Sequence, residues 1–116
     1  MASVVALFDD LLLGSNVLGM LRAAGHEAKL AGSAEHAHPD GAAVLIVDLG
    51  SAGFDGVAVV EGLRAAGELG ETRTLGVYSH VEHDVKLRAE AAGFDLVVPR
   101  SRMAREGAAL VERLVG

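Results

Sequence analysis

The chain has 116 residues, and its 10 Lys+Arg against 16 Asp+Glu give a formal charge of −6, which argues against a basic nucleic-acid binder. Half of it is hydrophobic (51%), which excludes a disordered chain, and with no Cys, no Trp and 3% aromatics it has no disulfides, thiol nucleophile, Cys-ligated zinc or aromatic stacking platform. No apolar run approaches the ~18–20 residues of a membrane helix, and the amino end lacks the pattern of a signal peptide, so one cytoplasmic domain over 1–116, with neither nucleic-acid nor membrane partner, is expected.

Val4-Val5-Ala6-Leu7-Phe8 reads as a first strand and ends on Asp9-Asp10. A helix over 15–24 carries Val17, Leu18, Leu21 and Ala24 on one face. Ala28-Lys29-Leu30-Ala31 is a weaker strand, and Lys29 places it at a sheet edge. Residues 32–41 are irregular, with room for one short helix that Pro39 ends. Val44-Leu45-Ile46-Val47 is the strongest strand and ends on Asp48. Asp55 then caps a helix over 56–66 that buries Val57, Val60 and Leu63. Leu75-Gly76-Val77-Tyr78 is a fourth strand ending on Ser79. Ser79 stands three residues before Glu82, the spacing of a capping box, ahead of a helix over 81–92 with Val81, Val85, Ala89 and Ala92 on its face. Leu96-Val97-Val98 is a fifth strand, followed by Pro99-Arg100-Ser101 and a helix over 102–115 that presents Met103, Leu110, Val111, Leu114 and Val115.

Three helices end alike, at Arg22-Ala23-Ala24-Gly25, Arg64-Ala65-Ala66-Gly67 and Glu90-Ala91-Ala92-Gly93. Ala sustains a helix, and Gly admits the left-handed conformation just past its end. Continuous apolar runs suit strands covered on both faces. Their alternation with helices predicts an α/β fold, a doubly wound five-stranded parallel sheet in the order 2-1-3-4-5. Its core is expected to contain Val5, Leu7, Leu45, Ile46, Val47, Val77 and Val97.

In such a sheet, sites lie at the carboxyl ends of the strands. Asp9, Asp10 and Asp48 fall there and together suit a hard cation such as magnesium. Ser79 and Arg100 supply a hydroxyl and a cation for an anion held on that metal. The plainer alternatives are that Asp48 only turns the loop and that Asp9 and Asp10 are solvated acids. His36 and His38, with Glu35 and Asp40, and His80 and His83, with Asp84, have chelating spacings, weighed against solvated segments. No P-loop, Gly-x-Gly-x-x-Gly fingerprint or Gly-x-Ser-x-Gly elbow is present, so an enzyme is not expected.

From Val4 to Val115 the chain resembles the receiver domain of two-component response regulators. The resemblance rests on Asp9-Asp10, on Leu45-Ile46-Val47-Asp48 with its spacing to Asp55-Gly56, on Ser79, and on Ala91-Ala92-Gly93 before the last strand. It implies a CheY-like, flavodoxin-like fold and a signalling role in a phosphorelay. Asp48 would accept a phosphoryl group from a phosphohistidine, Asp9 and Asp10 would help it hold magnesium, and Ser79 would track the phosphoryl group. It also implies contact with a histidine kinase, an output protein or a second copy through the helix over 81–92, strand five and the last helix. Arg102 and Arg105 would lie near that face, with Asp84 and Glu90 as opposite charges, and output would lie in another protein. The departures mark an atypical or pseudo-receiver. Lys-Pro is expected after strand five, where Pro99-Arg100 stands, and the chain's lysines are Lys29 and Lys86. Ala52 or Gly53 replaces a proline, and Leu96 replaces the switch aromatic. Arg100 matches lysine in charge but not in shape. A phosphorylation-independent interaction module on the same fold is the alternative.

Overall fold

The computed structural model describes residues 2–79 and 82–116. Its strands are β1 (Ser3–Leu7), β2 (Glu27–Ala31), β3 (Val44–Asp48), β4 (Arg73–Tyr78) and β5 (Leu96–Pro99). Its helices are α1 (Leu11–Ala23), α2 (Gly56–Ala65), α3 (His83–Ala91) and α4 (Arg100–Val115), with one 3-10 turn at Ala34–His36. All the strands are parallel, in the expected order β2-β1-β3-β4-β5, with Lys29 on the edge strand.

The pleat divides the apolar runs between two layers. Val4, Ala6, Phe8, Val44 and Ile46 face α1 and α4, where Leu21, Met103, Leu110 and Val111 meet them. Val5, Leu7, Leu45 and Val47 face the other way, onto Val57, Val60 and Leu63 of α2 and Ala89 of α3. Full burial of such side chains stabilises by ~1.5–3 kcal/mol each. Six of the seven expected core residues are buried. Val97 is only half-buried because β5 is the other edge strand, and Val98 points inward instead.

Helix ends follow the glycines: Gly25, Gly67 and Gly93 have φ of 91°, 73° and 90°. The starts differ from expectation. α1 begins at Leu11 because the Asp10 carboxylate accepts the Leu13 N–H at 3.1 Å, and Ala24 is its exposed C-cap. α4 begins at Arg100 because Pro99, at φ −70° and ψ 156°, already serves as its N-cap. In α4, Leu114 is half-buried and Val115 is exposed at the helix end. The one short helix expected over 32–41 is the 3-10 turn, and beyond Pro39 the residues Asp40 and Gly41 adopt left-handed φ of 48° and 79°.

The capping box does not form. α3 starts at His83 with Glu82 as N-cap and no side-chain cap bond, and the Glu82 N–H instead donates to the Ser79 carbonyl at 2.8 Å. Val81 and His80 lie outside the described residues, and Val85 and Ala92 are half-buried, so α3 buries only Ala89. Two arginines tie it to α2. Arg64 Nη1 donates to the Ala92 carbonyl at 2.6 Å, and Arg88 Nη2 to Asp55 at 2.6 Å. Buried His26 ties the sheet to α4. Its Nδ1 accepts the Ala2 N–H at 3.0 Å, which leaves the proton on Nε2, 3.3 Å from Glu112.

Candidate functional site at the carboxyl ends of the strands

Parallel pairing brings the carboxyl ends of β1, β3, β4 and β5 to one edge. Asp48 faces Val77 in register, so Ser79 lies two positions beyond it on the next strand. Tyr78 faces Pro99, which places Arg100 beside Ser79, and Leu7 faces Val47, which places Asp9 just past Asp48.

The Asp48 side chain is 1% exposed. Its Oδ1 accepts the Gly50 N–H at 3.0 Å, closing a tight turn after the strand. Arg100 is directed back over the strand ends, and its Nη2 lies 3.3 Å from each Asp48 oxygen. One nitrogen serves both oxygens, at a length beyond the usual charge-assisted range, so this is a buried carboxylate against a cation and not a two-pronged fork. The Arg100 side chain is 40% exposed, yet its Nε is sealed from solvent and, among the described residues, has no hydrogen-bond partner. Pro99 does not turn the arginine away; by capping α4 it puts Arg100 at the first helical position.

Glu82, which sequence reasoning passed over except as a cap, borders the same spot. A methyl group added at Gly50 would sit 3.0 Å from Glu82 Oε1, 3.3 Å from Arg100 Nη2 and 3.6 Å from Asp48 Oδ1. The only sequence signal was an acid just after the turn that follows the fourth strand.

The three acids named for magnesium are engaged separately. Asp10 caps α1. Asp9 Oδ2 accepts the Gly53 N–H at 3.0 Å, and a Cβ at Gly53 would stand 2.6 Å from that oxygen, so a larger residue would displace the carboxylate end. Asp48 faces Arg100. Among the described residues no three His, Asp or Glu side chains gather to hold a metal ion. As the side chains stand, the cation facing Asp48 is Arg100, while Asp9 and Asp10 each give one oxygen to a backbone N–H.

The histidine spacings lead to separate partners. His36 Nδ1 is 2.8 Å from Ser33 Oγ, and His38 Nδ1 is 2.8 Å from Glu68 Oε1. The second pair includes His80, outside the described residues. Within the chain, Arg102 and Arg105 turn to Glu106 of their own helix, at 3.4 and 3.7 Å. An open groove of about 1090 Å³ lies at the amino ends of the strands against Arg64, Arg73 and Leu114, away from Asp48. Among the described residues no helix is long and apolar enough to cross a membrane.

No family model matches the sequence, and no curated protein matches it significantly. The fold is similar to solved receiver domains. The receiver domain of the Francisella response regulator 1452 shares 16% identity at a TM-score of 0.86, covering 99% of this chain and 97% of that one. The chemotaxis response regulator CheY4 of Vibrio cholerae shares 20% at 0.84, covering 98% of each chain. NtrX from Brucella abortus shares 19% at 0.87, covering 98% of this chain but 27% of that longer one. The likeness establishes a flavodoxin-like receiver fold.

Proposed function

We propose that this chain is a receiver-like signalling module that acts through protein–protein contacts, with Asp48 serving as a structural anchor and not as a phosphoryl acceptor. The observation that carries this reading is the Asp48 carboxylate itself. It is 1% exposed, and both of its oxygens face Arg100. A nucleophilic carboxylate must present an oxygen in line with the incoming phosphorus. Here one oxygen also accepts a backbone N–H, and Asp9 and Asp10 each give one oxygen to a backbone N–H elsewhere.

The contact face is α3, β5 and α4, where Leu87 is 64% exposed and Val97 is half-buried. Its occupant is a kinase, an output protein or a second copy, in the cytoplasm. Exposed ion pairs contribute only ~0–1 kcal/mol, and Arg102 and Arg105 already have a partner in Glu106. Apolar contact therefore carries most of the association.

A second reading, with Asp48 as phosphoryl acceptor, is favoured by the placement of Asp48, Ser79 and Arg100 on the adjoining ends of β3, β4 and β5. Incubation with acetyl phosphate and magnesium, followed by intact mass measurement, separates the two. An unmodified mass is expected. A phosphoryl adduct that disappears in Asp48→Asn would establish the acceptor reading in its place.

A further inference from the structure

We infer that the guanidinium of Arg100 is the resident counter-ion of Asp48 and holds the place a divalent cation would take at the strand ends. A carboxylate this buried requires a compensating charge. The cation the structure puts against it is Arg100 Nη2, 3.3 Å from each oxygen.

The arginine is held there. It is the first residue of α4, behind the fixed φ of Pro99, and its Nε is shut off from solvent. A freely swinging surface arginine would keep that nitrogen in water. Glu82 Oε1 borders Gly50 on the same side of the strand ends. Of the neighbouring acids, Asp9 gives one oxygen to the Gly53 N–H and Asp10 gives one to the cap of α1. A guanidinium donates hydrogen bonds, cannot ligate a metal and does not lose its charge. It therefore repels a divalent ion as well as displacing one. This inference holds whether or not Asp48 takes a phosphoryl group, so its failure is separate from failure of the reading above.

The test is a magnesium chloride titration of the whole chain followed by NMR at the amides of Asp48, Leu49, Gly50 and Gly53. The native protein is expected to show no saturable shift. Arg100→Met keeps an aliphatic stem but leaves Asp48 without its cation, and it should show saturable shifts at those amides. The double variant Asp48→Asn/Arg100→Met should lose them. Saturable binding at these amides by the native protein overturns the inference, and so does an Arg100→Met protein that binds no magnesium. If Arg100→Met gives no folded spectrum, Arg100→Gln replaces it. For either variant a melting temperature raised by magnesium is the supporting result, and one that magnesium leaves unchanged is the contrary result.

Discussion

Arg88 on α3 donates through Nη2 to Asp55 Oδ2 at 2.6 Å, while the other oxygen of Asp55 caps α2 by accepting the Ala58 N–H at 3.1 Å. One carboxylate thus starts one helix and holds the next. Asp55→Ala should cost about 1 kcal/mol through the lost cap, and Arg88→Ala less, because the pair is half-exposed and exposed pairs contribute ~0–1 kcal/mol. Urea midpoints at neutral pH check the order. Because α3 buries only Ala89, Arg88→Ala should also speed hydrogen exchange in α3 more than in α2. Equal changes in both helices would contradict the tether.

The same pair makes a pH prediction. The hydrogen bond from Arg88 holds the Asp55 carboxyl below its ordinary value of 3.8. The folded state therefore binds that proton less readily than the unfolded chain. The stabilisation is present above pH 3.8 and is lost as pH falls through the lower folded value. Arg88→Ala should return the Asp55 titration, followed by carboxyl NMR, toward 3.8.

His38 behaves oppositely. Its hydrogen bond to Glu68, with the charges of Glu68 and Asp40 and a backbone contact at Glu35, raises it above 6.5. The contribution is complete below 6.5 and is lost as pH rises through the folded value. Histidine NMR should show Glu68→Gln lowering the His38 titration. An unchanged titration would mean that the contact does not persist in solution.

Two glycines admit close packing with different tolerance. A Cβ at Gly56 would meet Val47 Cγ1 at 2.6 Å, Leu49 Cδ2 at 3.1 Å and the Asp48 carbonyl at 3.2 Å. A Cβ at Gly107 would meet the Met20 methyl and, at 2.9 Å, that of Met103. Methionine ends can move, whereas a strand carbonyl and a β-branched neighbour cannot. Gly56→Ala should therefore lose ~1–3 kcal/mol by overpacking. Gly107→Ala should be near neutral, since alanine regains about 1 kcal/mol of helix propensity. Thermal melts of the two variants decide this.

The strand order and the helix ends were legible because period and punctuation are local. Continuous apolar runs required cover on both faces, and each Ala-Ala-Gly closed a helix. The roles of individual polar groups were not legible, because spacing does not say which way a side chain turns. Asp10, read as a ligand, also caps α1 through one oxygen. Ser79 and Glu82 had the spacing of a capping box, yet the Glu82 N–H donates to the Ser79 carbonyl, and Glu82 Oε1 borders Gly50. The engagement of Asp9 depends on a contact with the distant Gly53, which periodicity does not carry. Arg100 was legible as a cation near the strand ends, but its direction depended on Pro99 acting as a cap. Val97 failed as a core residue because β5 is an edge, and edge strands expose one of two alternating faces.

The most direct measurement of Asp48 as an anchor held by Arg100 is a double-mutant cycle on the pair, with urea unfolding of the native chain, Asp48→Asn, Arg100→Met and the double variant. Arg100→Met should be the costlier single change, because it leaves the buried carboxylate uncompensated while Asp48→Asn leaves a half-exposed arginine. A coupling of about 1–3 kcal/mol is expected for residues in such contact. Additive losses, with a coupling indistinguishable from zero, would contradict the account.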